Sequence, residues 1–281
     1  MTKKGIICYM KISCCIPCDA WISEKRNKDP LTAYTRLMKG YQMIRSLGYD
    51  IAEATVGMVM ALSLEEVNAL QAAHRAGMFN IGACNCFIPG EYSIISDTKT
   101  TEKLYAYVEN AIFRMADLGV SYVVFGSGRA RALPENYDRS SAEAQIDAFL
   151  RWVDICCEKY GMTCVIEPLN KLETNWCNTV AEGAAIVRRL NLKNIGLLAD
   201  GYHMACEAEP YTVITENCDI LQHCHIASSD RTIPGRTAYE SGFLAALKKI
   251  DYERIVTVEC GFGDFHCEAK IAAEYLRKQL A

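Results

Sequence analysis

Short runs of β-branched and apolar residues recur along the chain at 5–12, 49–56, 80–87, 122–127, 163–169, 195–200, 223–227 and 255–261. Each is followed by a polar loop and then by a stretch whose apolar positions repeat at helical spacing. A short unbroken apolar run reads as a strand buried on both faces, and the longer period reads as the helix that covers it. Eight such pairs in series predict a parallel sheet with helices between its strands, and the count favours a closed (β/α)8 barrel over an open doubly wound sheet. The punctuation agrees. Ser63 and Glu66, Ser140 and Glu143, and Thr179 and Glu182 each fit a capping box at a helix start. Gly48, Gly119 and Gly161 stand where helices must end in a left-handed residue.

Composition narrows the reading only a little. At 281 residues, with no linker, low-complexity tract or composition break, residues 1–281 suit one barrel domain. A formal net charge of -4 argues against a nucleic-acid surface, which would carry a basic stripe. No run approaches the roughly 18 apolar residues of a membrane span. Lys3 and Lys4 precede an apolar stretch in the manner of a signal peptide, but Lys11 interrupts it, so the segment reads as a first strand and the expected location is cytoplasmic. The fifteen cysteines are scattered, many inside apolar runs, which fits neutral thiols in a reducing compartment. Cys15 and Cys18 form a lone CxxC with no second pair at zinc-ribbon spacing.

In a (β/α)8 barrel the chemistry lies at the carboxyl ends of the strands. Four successive strands end in polar residues: the fifth in Glu167, the sixth in Asp200, the seventh in His223-Cys224-His225 and the eighth in Glu259. Successive strands are neighbours in the barrel, so Glu167, Asp200, His225 and Glu259 should converge. Three carboxylates brought together without positive charge would repel one another and raise each other's pKa. One divalent cation removes that problem. An oxygen-rich set with one imidazole suits Mn²⁺ first, with Mg²⁺ or Co²⁺ as alternatives, over a structural zinc.

The segments Glu167-Pro168-Leu169-Asn170-Lys171-Leu172-Glu173 and Asp200-Gly201-Tyr202-His203-Met204, and His225 followed by Arg231 and Pro234-Gly235, carry a resemblance. In these the chain resembles the xylose-isomerase-like barrels, and within them the ketose 3-epimerase branch of D-tagatose and D-psicose 3-epimerase type. The resemblance implies a metal held by Glu167, Asp200, His225 and Glu259, and a sugar or sugar phosphate held by Glu173, His203 and Arg231. The branch often has glutamate where Ser228 stands and serine where Cys260 stands.

Such chemistry removes a weakly acidic C–H proton beside a carbonyl. A metal on the neighbouring oxygens stabilises the enediolate, and two carboxylates on opposite faces exchange protons with carbon, a pair assigned here to Glu167 and Glu259. A hydroxypyruvate-type isomerase or an inosose-type dehydratase would use the same centre. An endonuclease IV-like nuclease fits poorly with five histidines and an acidic chain. No membrane or nucleic-acid partner is expected, and a homodimer or homotetramer is the assembly considered.

Other features are open at this level. His223, two residues before His225, shares its face and reads as a hydrogen-bonded core histidine. His74 reads as a surface residue, and His266 follows the last strand. Residues 126–131, with Arg129 and Arg131, are either an anion-binding loop or a glycine-tolerant loop with solvated arginines. Residues 18–34 form a candidate lid, and residues 87–92 and Trp176 are candidate pocket walls.

Overall fold

The computed structural model describes residues 10–17, 19–22, 31–96 and 98–280. Eight strands, β1 Lys11–Cys15, β2 Ile51–Thr55, β3 Ile81–Asn85, β4 Tyr122–Phe125, β5 Thr163–Ile166, β6 Ile195–Asp200, β7 Leu221–Ile226 and β8 Ile255–Val258, pair in sequence order into a closed parallel barrel. Closure is made by β1 against β8, with Lys11 opposite Ile255 and Cys14 opposite Val258. The expected (β/α)8 architecture is therefore the one found, with helices in each crossover. Among the described residues no helix is long and apolar enough to cross a membrane.

The first strand is displaced from its expected place at 5–12. It begins at Lys11 and continues through Ser13-Cys14-Cys15, while residues 5–9 lie outside the described residues. Cysteine packs as a small apolar residue, so Cys14, fully buried, carries the strand past its expected end at residue 12. The other strands fall within two or three residues of expectation.

Strand residues alternate between two environments. Ile12, Ala52, Cys84, Val123, Ile166, Leu197, Cys224 and Val256 join the large core beneath the helices. Their neighbours line the barrel interior in two unlike halves. On β4, β5 and β6 the interior is apolar, with Val124, Val165 and Leu198 packed together. Ser13, Glu53, His223 and Thr257, from β1, β2, β7 and β8, are polar and almost completely buried.

Helix starts were partly as expected. Ser63 makes a complete capping box, accepting from Glu66 N at 3.2 Å while Glu66 Oε2 accepts from Ser63 N at 2.8 Å. Ser63→Ala is expected to cost about 1 kcal/mol in a denaturant titration, with the slope unchanged. The box at Ser140 does not form. Asp138 caps helix Arg139–Tyr160 instead, accepting from Ser141 N at 2.7 Å, and Glu143 pairs with Arg139 at 2.9 Å. Asp138 offers its acceptor two residues earlier and so sets the start. At Thr179 the box is half made: the hydroxyl accepts from Glu182 N, but the Glu182 carboxylate takes Asn178 N. Gly48, Gly119 and Gly161 all have positive φ, as their positions at helix ends demanded.

Candidate metal and active site

Glu167 follows β5 directly, and its backbone is pinned on both sides. Its N–H donates to the Phe125 carbonyl at 3.3 Å, and Arg131 Nη2 donates to its own carbonyl at 2.6 Å. The Arg131 guanidinium also donates to Phe125 O at 2.7 Å and lies 5.2 Å from both the Phe125 and Trp176 rings. Asp200 ends β6 and does two things. Its Oδ1 caps helix Gly201–Cys206 by accepting from Tyr202 N at 2.7 Å, which leaves Oδ2 directed toward His225. His225, on β7, presents Nδ1 to Glu167 Oε1 at 3.0 Å, to Glu259 Oε2 at 3.3 Å and to Asp200 Oδ2 at 4.0 Å. Glu259 follows β8 and is oriented by Asn85 Nδ2, which donates to its Oε1 at 2.8 Å. One ligand atom from each of Glu167, Asp200, His225 and Glu259 lies within 4.8 Å of the others, so the four residues singled out in the sequence do come together.

The arrangement calls for positive charge. On its far side His225 Nε2 lies 3.0 Å from Glu53 Oε1, and an ionised carboxylate only accepts, so Nε2 carries the hydrogen. An unprotonated Nδ1 would then aim its lone pair at three carboxylates, an arrangement stable only with a cation or a proton among them. Three oxygens and one imidazole nitrogen are a donor set suited to Mn²⁺, Mg²⁺ or Co²⁺. The charges here are strongly interdependent. Burial, with Glu259 and Asp200 nearby, holds the Glu167 carboxyl above the ordinary range despite His225. For Glu259 burial acts the same way, but His225 and Arg231 outweigh it and bring it below. Burial opposes a charge on His225, yet Glu53, Glu259 and Glu167 together raise it well above the usual imidazole value.

Above the cluster is a cavity of about 500 Å³. His203, Glu173 and Arg231 line it together with Glu167 and Glu259, and Ile88, Pro89 and Leu169 give it an apolar wall. His203 is buried, and Asn170 donates to its Nδ1 from the backbone at 3.1 Å, so Nε2 is the N–H. That Nε2 has no hydrogen-bond partner in the protein. Arg231 has positive φ, pairs with Glu173 and lies 4.7 Å from the Tyr202 ring. Ser228, where the branch often has an acid, instead builds the turn beneath Arg231, accepting from Arg231 N through its carbonyl at 2.9 Å. Gly126 faces the cluster, and a Cβ there would come 1.9 Å from Glu167 Oε2.

Several expectations are corrected. Arg131 is neither solvated nor free for an anion: it is fully buried and spent on two carbonyls. Arg129 alone of the pair is exposed at the cavity rim. Trp176 does not wall the pocket but covers Arg131. Of residues 87–92, Ile88, Pro89 and Gly90 line the cavity, whereas Phe87 belongs to the core under the helices. His266 is exposed on helix Phe265–Leu280, and His74 is half-buried with Nδ1 3.1 Å from Phe79 O. The candidate lid at 18–34 falls mostly outside the described residues, although Trp21 packs against the core. His223 is a hydrogen-bonded interior histidine, as expected.

Two residues of the site were not singled out in the sequence. Glu53 and Asn85 sit within β2 and β3 and contact His225 and Glu259 respectively. An acid and an amide at interior positions of otherwise apolar strands were the available signals.

A parallel barrel with a carboxylate–histidine cluster and a cavity at its carboxyl rim is the layout of a (β/α)8 enzyme. The chain belongs to the xylose isomerase-like TIM barrel family, whose profile matches residues 41–279. It is 26% identical over 208 residues to a 3-dehydro-D-guloside 4-epimerase of Escherichia coli (strain K12), covering 71% of this chain and 77% of that one. It is 33% identical over 163 residues to an L-ribulose 3-epimerase of Methylomonas sp. (strain DH-1), covering 57% of this chain and 53% of that one. Among solved structures, a D-psicose 3-epimerase from Clostridium cellulolyticum H10 with D-tagatose shares the fold at a TM-score of 0.79. Its identity is 20%, over 96% of this chain and 99% of that one. These relatives are epimerases, and the chain is an enzyme of the isomerase class.

Proposed function

We propose that the chain is a divalent-metal-dependent epimerase of a small, unphosphorylated ketose, with Glu167 and Glu259 exchanging protons at the carbon beside the carbonyl. The observation that carries this is the convergence of Glu167, Asp200, His225 and Glu259 within 4.8 Å, with His225 Nδ1 turned into three carboxylates. These four would hold the ion, Mn²⁺ first, which supplies the Lewis acidity that stabilises negative charge developing on the sugar oxygens as the C–H proton leaves.

The remaining work falls to this chain's side chains. Glu167 and Glu259 approach from β5 and β8. One removes the proton and the other returns one from the opposite face, which inverts the carbon. His203 offers its unpaired Nε2–H to a sugar oxygen near the reacting carbon. Arg231 and Glu173, already paired at the cavity edge, take hydroxyl groups as donor and acceptor. Ile88, Pro89 and Leu169 exclude water from the reacting carbon.

The free sugar is favoured because Arg131 is committed to the backbone, so the 126–131 loop does not offer two arginines to a phosphate. The relatives named for L-ribulose and D-psicose support the same class. Every cysteine among the described residues is a free thiol, which supports a cytoplasmic setting.

Proton NMR in heavy water on the Mn²⁺-loaded enzyme, with free ketoses and their phosphates, tests the reading. Deuterium should enter at C3 with inversion, and faster for a free ketose than for its phosphate. Carbonyl migration would make the enzyme an aldose–ketose isomerase, and loss of water a dehydratase. No exchange with any ketose, whether Mn²⁺, Mg²⁺ or Co²⁺ is supplied, would refute the proposal.

A further inference from the structure

We infer that Glu53 is a positioning residue. From the barrel interior it fixes the ring of His225 so that Nδ1, and not Nε2, faces Glu167, Asp200 and Glu259, and His223 holds Glu53 in turn. The inference rests on the proposed cation site and extends it to β2, on the other side of the barrel.

The starting point is an acid in the middle of a strand. Glu53 is locked on both sides by the ladder, opposite Cys15 on β1 and Ala83 on β3, so its backbone has nowhere to go. Its side chain is fully buried. A carboxylate in such a place is strongly disfavoured unless each oxygen finds a donor. Both do. Oε1 lies 3.0 Å from His225 Nε2, and Oε2 lies 2.9 Å from His223 Nε2. Because a carboxylate offers no hydrogen, both imidazoles must carry theirs on Nε2.

For His225 this determines the chemistry of the ring. With its hydrogen held at Nε2, the other nitrogen is the one with a lone pair, and that nitrogen is directed at the three acids. For His223 the same bond is nearly the whole of its polar environment. Its Nδ1 is buried with no partner, and its ring stacks on Tyr122 with centroids 5.7 Å apart. His223 therefore adds no ligand to the cluster and serves to hold the second oxygen of Glu53. A ligating histidine commonly gives its second N–H to a carboxylate, and loss of that carboxylate typically weakens metal affinity about 10–100-fold.

Glu53→Gln keeps the shape but places an amide where two N–H groups need acceptors. Metal-free protein is titrated with Mn²⁺ by calorimetry, the visible spectrum is recorded with Co²⁺, and thermal unfolding is followed without metal. Glu53→Gln is expected to bind Mn²⁺ about 10–100-fold more weakly, to change the Co²⁺ spectrum, and to do so at metal-free stability that cannot account for the loss. Glu53→Asp should recover part of the affinity. Wild-type affinity and an unchanged Co²⁺ spectrum in Glu53→Gln would overturn the inference. Should that variant fail to fold, nitrogen NMR of the wild-type protein with Mg²⁺ reads the ring directly: hydrogen on His225 Nε2 supports the inference, and hydrogen on Nδ1 overturns it. Wild-type protein that binds no divalent ion would bring down the proposed function first, an outcome separate from any difference between wild type and variant.

Discussion

Glu167→Gln and Glu259→Gln should each lower kcat by about 10²–10⁴-fold, the range of a lost acid–base group, in protein that still folds. Glutamine matches glutamate in size, and what pins residue 167 is its backbone: Arg131 and Phe125 grip the carbonyl and the N–H, and the exchange leaves both bonds in place. The lost item is an oxygen able to carry a proton to and from carbon. Each residue also belongs to the proposed ion site, so the variants are compared at saturating Mn²⁺, with ion binding measured separately. The two should differ in a revealing way. If the glutamates serve opposite faces, Glu167→Gln keeps residual deuterium exchange from one C3 epimer and Glu259→Gln keeps it from the other. Full turnover in either variant ends its assignment as an acid–base group.

The second large effect comes from adding a single methyl group. Gly126 has no side chain, and a Cβ there would stand 1.9 Å from Glu167 Oε2, far inside any van der Waals contact. Since Glu167 is anchored at its backbone, the carboxylate itself must swing away. A displacement of about 1 Å at a reacting group can cost about 10²-fold in rate, and Gly126→Ala is expected to lose that much in kcat/KM and to bind Mn²⁺ more weakly. Gly57→Ala is the control, because a Cβ there meets only Thr55 Oγ1 at an ordinary 3.8 Å. Equal activity in the two variants would show that Glu167 has more freedom than its surroundings imply.

The residues that could be read in advance share a property, as do those that could not. Strands buried on both faces leave continuous apolar runs, so β2 to β8 were visible within a few residues. Glu167, Asp200, His225 and Glu259 stood out because polar groups at the ends of successive strands break those runs at regular intervals. Their convergence needed only the rule that neighbours in sequence are neighbours in the barrel. Glu53 and Asn85 reach the same centre from β2 and β3, and no local pattern ties them to residues so much later in the chain. Arg131 was misread for a related reason. Flanked by glycines and another arginine it looks solvated, whereas the folded chain packs it against the Phe125 and Trp176 rings and the Glu167 backbone. Helix starts failed where two acceptors competed, as at Asp138 and Ser140, since the winner depends on where the incoming loop arrives.

Asp200 has a consequence of its own. One oxygen begins the short helix 201–206 and the other belongs to the acidic cluster, and that helix carries His203 to the cavity wall. Any pull on the second oxygen is transmitted along a single rigid group to the first turn that seats the imidazole. In the proposed enzyme, occupancy of the ion site and grip on the sugar would therefore be geared together through one carboxylate, each strengthening the other.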